Sequence, residues 1–149
     1  MSNQQVCCAQ CFKLNSVSLG PFEPAPSCTF CQKPIFTYQS IAGTSENFET
    51  LVLQSDIPVI IDFWAAWCSP CISFGSVFEQ AAASWEPRVR FVKVNTEINT
   101  DLSEQLNIRN IPAVILFNKG KEVVRQNGAM PINMFDQWLE TQVTLLEES

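Results

Sequence analysis

Val59-Ile60-Ile61-Asp62-Phe63-Trp64, followed across Ala65-Ala66 by Trp67-Cys68-Ser69-Pro70-Cys71, decides the architecture. The apolar, β-branched run 59–64 predicts a buried strand, interrupted by one carboxylate at Asp62. From Ser69 to Trp85 the pattern changes to helical spacing, with Phe74, Val77, Phe78, Ala81, Ala82 and Trp85 on one face. The two cysteines therefore sit where a strand ends and a long helix begins. Pro70 suits the first helical turn, where its missing N–H leaves nothing unpaired. Residues three apart on that turn face the same side, so the two sulfurs can approach bonding distance. Cys68 lies at the helix N-terminus, where free N–H groups and the positive end of the dipole favour a thiolate. The pair combines a nucleophile with a second thiol able to displace a mixed disulfide.

Outward from this turn the pattern alternates. Thr37–Ala42 is a short strand, and Thr44 or Ser45 caps a short helix through about Leu53. Asp56-Ile57-Pro58 ends that helix. Val89–Asn95 is a strand, and Asp101–Leu106 a short helix with Thr100 as N-cap. Ala113–Asn118 and Glu122–Asn127 are strands joined across Asn118-Lys119-Gly120-Lys121, a hairpin signal. Pro131–Leu146 is a final helix whose core face is Phe135, Trp138, Leu139 and Val143. The order β-α-β-α-β-α-β-β-α predicts an α/β fold, a mixed central sheet flanked by helices.

Composition narrows the chemistry. The chain has 149 residues, 46% of them hydrophobic, which suits one globular domain with a small appendage. It has no histidine, which excludes Ser-His and Cys-His catalytic pairs and mixed Cys/His metal sites. Its glycines, at 20, 43, 75, 120 and 128, form no phosphate-binding loop. A net charge of −6 argues against a nucleic-acid partner. The N-terminus has neither the basic nor the apolar run of a signal peptide, and no apolar stretch approaches the ~20 residues of a membrane span. These features predict a cytoplasmic protein with no membrane partner. In a reducing compartment, clustered cysteines serve as metal ligands or redox groups more often than as structural disulfides.

The cysteines are Cys7, Cys8, Cys11, Cys28, Cys31, Cys68 and Cys71. Five of them fall in residues 1–40, together with Pro21, Pro24, Pro26 and Pro34 and only three charges, Lys13, Glu23 and Lys33. Residues 41–149 read as an ordinary globular domain. Forty residues need a staple to fold. Cys8-Ala9-Gln10-Cys11 and Cys28-Thr29-Phe30-Cys31 supply one, because C-x2-C-x16-C-x2-C is the spacing of a tetrahedral four-thiolate zinc site. Phe12 and Gln32 follow the second cysteine of each pair, where zinc knuckles often turn on glycine. Cys7 is the spare, and it can replace Cys8 at a three-residue gap from Cys11. The alternative for this segment is a set of unliganded thiols on a loose tail.

From about Ser45 to Val143 the sequence resembles the thioredoxin family. The likeness rests on Asp62-Phe63-Trp64-Ala65 before Trp67-Cys68-Ser69-Pro70-Cys71, on Phe91-Val92-Lys93-Val94-Asn95, on Ile111-Pro112 before a strand and on Gly128-Ala129 after the hairpin. With the four N-terminal cysteines it extends to thioredoxins that carry a zinc ribbon, the ribbon at 1–40 and the thioredoxin domain at 41–149. The resemblance implies a dithiol that reduces protein disulfides, Cys68 attacking and Cys71 resolving. It implies recharging by a thioredoxin reductase, so that NADPH belongs to the partner and zinc is the resident cofactor. Asp62 would handle the proton of the resolving thiol, with Lys93 nearby. Pro112 would be a cis proline facing the dithiol, and Trp67, Ser69, Pro70, Ile111, Pro112 and Gly128 would line the path of an extended substrate. The sequence departs from the family pattern at Ser69 and Asn110, where glycine is usual, at Ile72, usually basic, and at Ser76, frequently proline.

Without the resemblance, Asp62 also reads as a strand-end residue facing water, Pro112 as a trans loop proline, Trp64 as core and Gly128 as an ordinary loop glycine. At the level of function the alternatives are a disulfide oxidase or isomerase on the same fold, and a zinc-dependent binding module or holdase using it as a scaffold. The latter predicts a lost cysteine or a lost Pro112, and both are present. A zinc-ribbon nucleic-acid binder is the weakest alternative, since residues 1–40 offer only Lys13 and Lys33 as cations.

Overall fold

The computed structural model describes residues 3–19 and 26–148; Gly20, Pro21, Glu23 and Pro24 lie outside the described residues. Two strands, β1 (Gln4–Cys7) and β2 (Leu14–Val17), pair antiparallel at the N-terminus. The main sheet contains β3 (Ile41–Ala42), β4 (Val59–Trp64), β5 (Arg90–Asn95), β6 (Ala113–Asn118) and β7 (Lys121–Asn127) in the order β3-β5-β4-β6-β7. β3 and β4 run parallel to β5, while β6 and β7 add antiparallel, so the sheet is mixed as expected. Its helices are α1 (Ser69–Trp85), α2 (Thr100–Gln105) and α3 (Ile132–Glu147).

Strand alternation divides the core into two layers. Val59, Ile61 and Phe63 of β4 join Val92, Val94, Ile115 and Phe117 on one face, against Phe48, Leu51, Val52 and Leu102. Ile60, Phe91, Val114 and Leu116 face the other way, against Phe74, Phe78, Ala81 and Ala82 of α1 and Phe135, Leu139 and Val143 of α3. Asp62 and Lys93 share the parity of Ile60 and Phe91, which turns them toward the α1 side. Phe78 and Phe135 are fully buried at the α1–α3 seam, with ring centroids 6.0 Å apart. Burying such a side chain contributes about 1.5–3 kcal/mol.

Three local expectations need correction. The expected strand 37–42 shrinks to Ile41–Ala42. The helix ending at Leu53 is a π-type turn over Glu49–Leu53. Thr44 does act at its approach: Thr44 N donates to Asn47 Oδ1 at 2.8 Å and Asn47 N to Thr44 Oγ1 at 3.2 Å. Thr100 is the first residue of α2, not its cap. Asn99 occupies the cap, its Oδ1 accepting instead from Ser45 N at 3.1 Å. The hairpin turns on Lys119 and Gly120, both with positive φ, 52° and 82°. Two positive φ values suit the right-handed twist of the strands they join. No helix among the described residues is long and apolar enough to cross a membrane.

The N-terminal hairpin packs directly on this body. Val6, Cys8, Val17, Cys28, Ile35 and Phe36 form one cluster that includes Ile57. Gln5 N donates to Asp56 Oδ2 at 2.8 Å, and Asp56 N returns a bond to Gln5 O at 2.9 Å.

Candidate active site and metal centre

Cys68 and Cys71 form a disulfide across the first turn of α1, with Cα atoms 5.2 Å apart. Cys68 is the N-cap residue, with extended backbone, and its Sγ accepts a hydrogen bond from Cys71 N at 3.2 Å. Ser69 and Pro70 fill the first two helical positions, where Pro70 removes an N–H that needs no partner. Both cysteines are nearly covered, at 4% and 2% exposure, with Ala65, Trp64 and Ile111 around them. Trp67 stands out beside them at 69% exposure, and Ile72 is also exposed.

Three chain segments converge on the pair. The Ile111–Pro112 bond is cis, and Ile111 O lies 3.9 Å from Cys68 Sγ. Pro112 O accepts from Gly128 N at 2.8 Å, which ties the third segment to the second. Gly128 has φ +94°, and a Cβ there would meet nothing within 4 Å, so the space above it is open. The structure thus brings Trp67, Ser69, Pro70, Ile111, Pro112 and Gly128 to one rim around Cys68.

Asp62 is wholly buried, and neither carboxylate oxygen has a hydrogen-bond partner. It does not face water at a strand end. Burial pushes its carboxyl up to about 7; the Lys93 charge opposes the rise and Glu79 adds to it. Lys93 is directly opposite Asp62 in the β4–β5 register, but its Nζ lies over the Trp64 ring, 4.9 Å from the centroid. Sequence reasoning gave Gly75 no role. A Cβ at that helical position would stand 3.4 Å from Lys93 Nζ, an ordinary contact distance, so Gly75 borders the ammonium.

The second centre is the N-terminal cysteine cluster. The sulfurs of Cys8, Cys11, Cys28 and Cys31 all lie within 4.8 Å of one another, placed to hold a metal ion. Cys8 and Cys31 are 3.8 Å apart and Cys11 and Cys28 3.6 Å. A tetrahedral ion with metal–sulfur bonds of about 2.3 Å would set its sulfurs about 3.8 Å apart, so the donor set fits. Two matching turns build it. Gln10 N and Phe30 N each donate to the first sulfur of their pair, Cys8 and Cys28, at 3.3 Å. Cys8 N and Cys28 N close the turns on Lys13 O and Lys33 O at 2.9 and 2.8 Å. Phe12 and Gln32 adopt the left-handed conformation, φ 62° and 65°, that a glycine would take more easily.

Asn15 was missed from sequence, where an asparagine in a short polar strand carries no signal. It is buried, donates to Cys28 Sγ at 3.4 Å and to Lys13 O at 3.2 Å, and accepts from Thr29 N at 2.9 Å, so it links the two turns. Burial raises the Cys28 thiol, but hydrogen bonds from Cys31 and Phe30 N–H and from Asn15 outweigh it and bring it to about 6. Cys7 does not join the cluster. It packs in the main core, and burial pushes its thiol up to about 11 against the opposing Arg90 charge.

The thioredoxin family model matches residues 39–141, which include the whole of the main sheet. Thioredoxin C-3 of Corynebacterium nephridii is 37% identical over 138 residues, covering 93% of this chain and 94% of its own, so the likeness reaches into the cysteine-rich segment. A thioredoxin of Chlorobaculum thiosulfatiphilum is 38% identical over 68% of this chain and 94% of its own. Thioredoxin 1 of Nostoc sp. is 40% identical over 65% and 91%. With the disulfide at the head of α1 and the cis proline beside it, these matches place the chain in the thioredoxin family, as a thiol-disulfide oxidoreductase of the thioredoxin type.

Proposed function

We propose that this protein reduces disulfides in cytoplasmic proteins through Cys68 and Cys71 and carries a structural zinc in its N-terminal segment. The observation that carries the reading is the position of Cys68: helix cap, rim of open backbone, and a buried acid on the adjoining strand.

In the reduced protein, the Cys68 thiolate attacks one sulfur of a substrate disulfide. A mixed disulfide forms, the substrate S–S bond breaks and the first substrate sulfur leaves as a thiolate. Asp62, ionised near neutral pH, accepts the proton of Cys71. The Cys71 thiolate then attacks Cys68 Sγ, releasing the second substrate thiolate and closing the Cys68–Cys71 disulfide. Two electrons pass from the dithiol to the substrate. A thioredoxin reductase, itself supplied by NADPH, returns them. Lys93 moderates the field at Asp62 without pairing with it. The substrate backbone approaches as an extended segment over Trp67, Ser69 and Pro70, along Ile111-Pro112 and past Gly128.

Zinc in the ribbon (residues 1–40) is held by Cys8, Cys11, Cys28 and Cys31 and supplies the staple that a short segment lacks. Residues 41–149 are the catalytic domain. Reduction of insulin disulfides by the zinc-loaded protein, driven by NADPH and a thioredoxin reductase, tests the function. Failure of both the wild-type turnover and the stoichiometric reaction of pre-reduced protein would reject it.

A further inference from the structure

Arg90, the first residue of β5, is 1% exposed, yet its guanidinium partners lie mostly outside the thioredoxin body. Nη1 donates to Cys7 O, and Nη2 to Ile35 O at 3.1 Å. The guanidinium stacks over the Phe36 ring, 4.5 Å from its centroid. Its ion pair with Glu86 is long, 3.9 Å, and Nε has no hydrogen-bond partner, so that attraction is coulombic only. Glu86 in turn accepts from Tyr38 N at 3.0 Å and Phe91 N at 3.2 Å. Ile35 O, which takes the Arg90 bond, also accepts Ala9 N at 3.1 Å, and Ala9 lies between Cys8 and Cys11. Cys7 immediately precedes Cys8. Two carbonyls that adjoin the metal turns, Cys7 O at the end of β1 and Ile35 O bonded to Ala9 N, are thus what satisfies a buried cation in the main sheet.

We propose that Arg90 couples the metal ribbon to the dithiol domain, so that metal occupancy of Cys8, Cys11, Cys28 and Cys31 sets the stability of the Cys68–Cys71 domain. This rests on the reading that the ribbon binds zinc. A buried charge that loses its hydrogen-bond acceptors is strongly destabilising. Release of the metal loosens both turns and displaces the acceptors that adjoin them, Ile35 O through its bond from Ala9 N and Cys7 O through its link to Cys8. The same coupling acts in reverse, because linkage is reciprocal: a docked Arg90 tightens the ribbon's hold on metal.

The four tryptophans, 64, 67, 85 and 138, all lie beyond residue 40, so their fluorescence reports the dithiol domain alone. Urea unfolding of the full chain is followed by this signal, zinc-loaded and after chelation under reducing conditions, with zinc content measured in each sample. Removing zinc lowers the wild-type midpoint by about 1 M urea. In Arg90→Met, which fills the space without the charge, that zinc-dependent shift collapses and competition against a chromogenic chelator shows about tenfold weaker zinc binding. Arg90→Lys, which keeps the charge but reaches only one carbonyl, gives an intermediate shift. An identical tryptophan midpoint with and without zinc in the wild type overturns the coupling, and so does a full shift in Arg90→Met. If Arg90→Met fails to fold, the wild-type and Arg90→Lys comparisons decide alone. A chain that binds no zinc overturns the metal reading beneath the proposal.

Discussion

Asp62 and Lys93 stand opposite each other in the parallel register of β4 and β5, yet Lys93 Nζ rests over the Trp64 ring and neither Asp62 oxygen accepts a hydrogen bond. An acid left unpaired in the core must titrate abnormally. Its rise from 3.8 to about 7 fixes the sign of the pH dependence. Between those values the folded protein holds a proton that the unfolded chain has released, so stability falls as pH climbs from about 4 to 7 and levels off above. At about 1.4 kcal/mol per unit, the full loss is ~4 kcal/mol. Asp62→Asn removes this dependence. Urea unfolding of the oxidised forms at pH 4.5 and 8.5 should show the wild type losing most of that amount and the variant far less. Parallel behaviour of the two would mean that the carboxylate is solvated.

The same residue governs the resolving step. Asp62→Asn should slow release of the mixed disulfide by about 10²-fold, less where water relays the proton, while leaving the first attack by Cys68 nearly unchanged. Single-turnover quenching with a mass readout separates the steps. Unaltered resolution kinetics would remove Asp62 from the mechanism.

Asn15 holds Cys28 Sγ and bridges the two metal turns. Asn15→Leu should weaken zinc binding by about 10–100-fold, the usual effect of losing a partner that orients a ligand. Cys28→Ser should abolish stoichiometric binding of one zinc per chain. Chelator competition on reduced protein measures both, and wild-type affinity in Asn15→Leu would show its hydrogen bonds to be incidental.

Gln32 carries left-handed backbone, φ 65°, after the second metal pair. Gln32→Gly should relieve about 1 kcal/mol of local strain, at the expense of one exposed bond to Thr29 O. Slower zinc loss to a chelator is the expected result, and faster loss would contradict it.

The main sheet was legible because its signals are local and redundant. Val59–Trp64 and Ser69–Trp85 match their strand and helix residue for residue, since β4 is a continuous apolar run buried on both faces and α1 keeps its helical spacing of buried residues. Thr100 misled because the helix begins one residue earlier than expected, with Asn99 at the cap, and the Asn99 oxygen is taken by the N–H of Ser45, 54 positions before it. The missing glycines after Cys11 and Cys31 looked like a weakness, yet Phe12 and Gln32 adopt the left-handed turn all the same. Spacing favoured Cys8 over Cys7, because two residues separate Cys8 from Cys11, and the structure groups Cys8 with the other three sulfurs and sets Cys7 in the main core. Asn15 and Arg90 were invisible, because each acts on residues brought near only by folding.

Gly128 combines φ +94° with open space around its α-carbon. Gly128→Val should cost about 1–2 kcal/mol in stability through backbone strain and raise KM for protein disulfides more than it lowers kcat. An unchanged KM would place the substrate path elsewhere.

The central claim is that Cys68 attacks and Cys71 resolves. The most direct measurement is intact mass analysis of Cys68→Ser and Cys71→Ser after reaction with a disulfide substrate, alongside insulin reduction with NADPH and a thioredoxin reductase. Cys71→Ser should accumulate a mixed disulfide on Cys68 and Cys68→Ser should show neither adduct nor turnover. Substantial turnover by Cys68→Ser, or an adduct carried by Cys71 in preference to Cys68, would contradict the account.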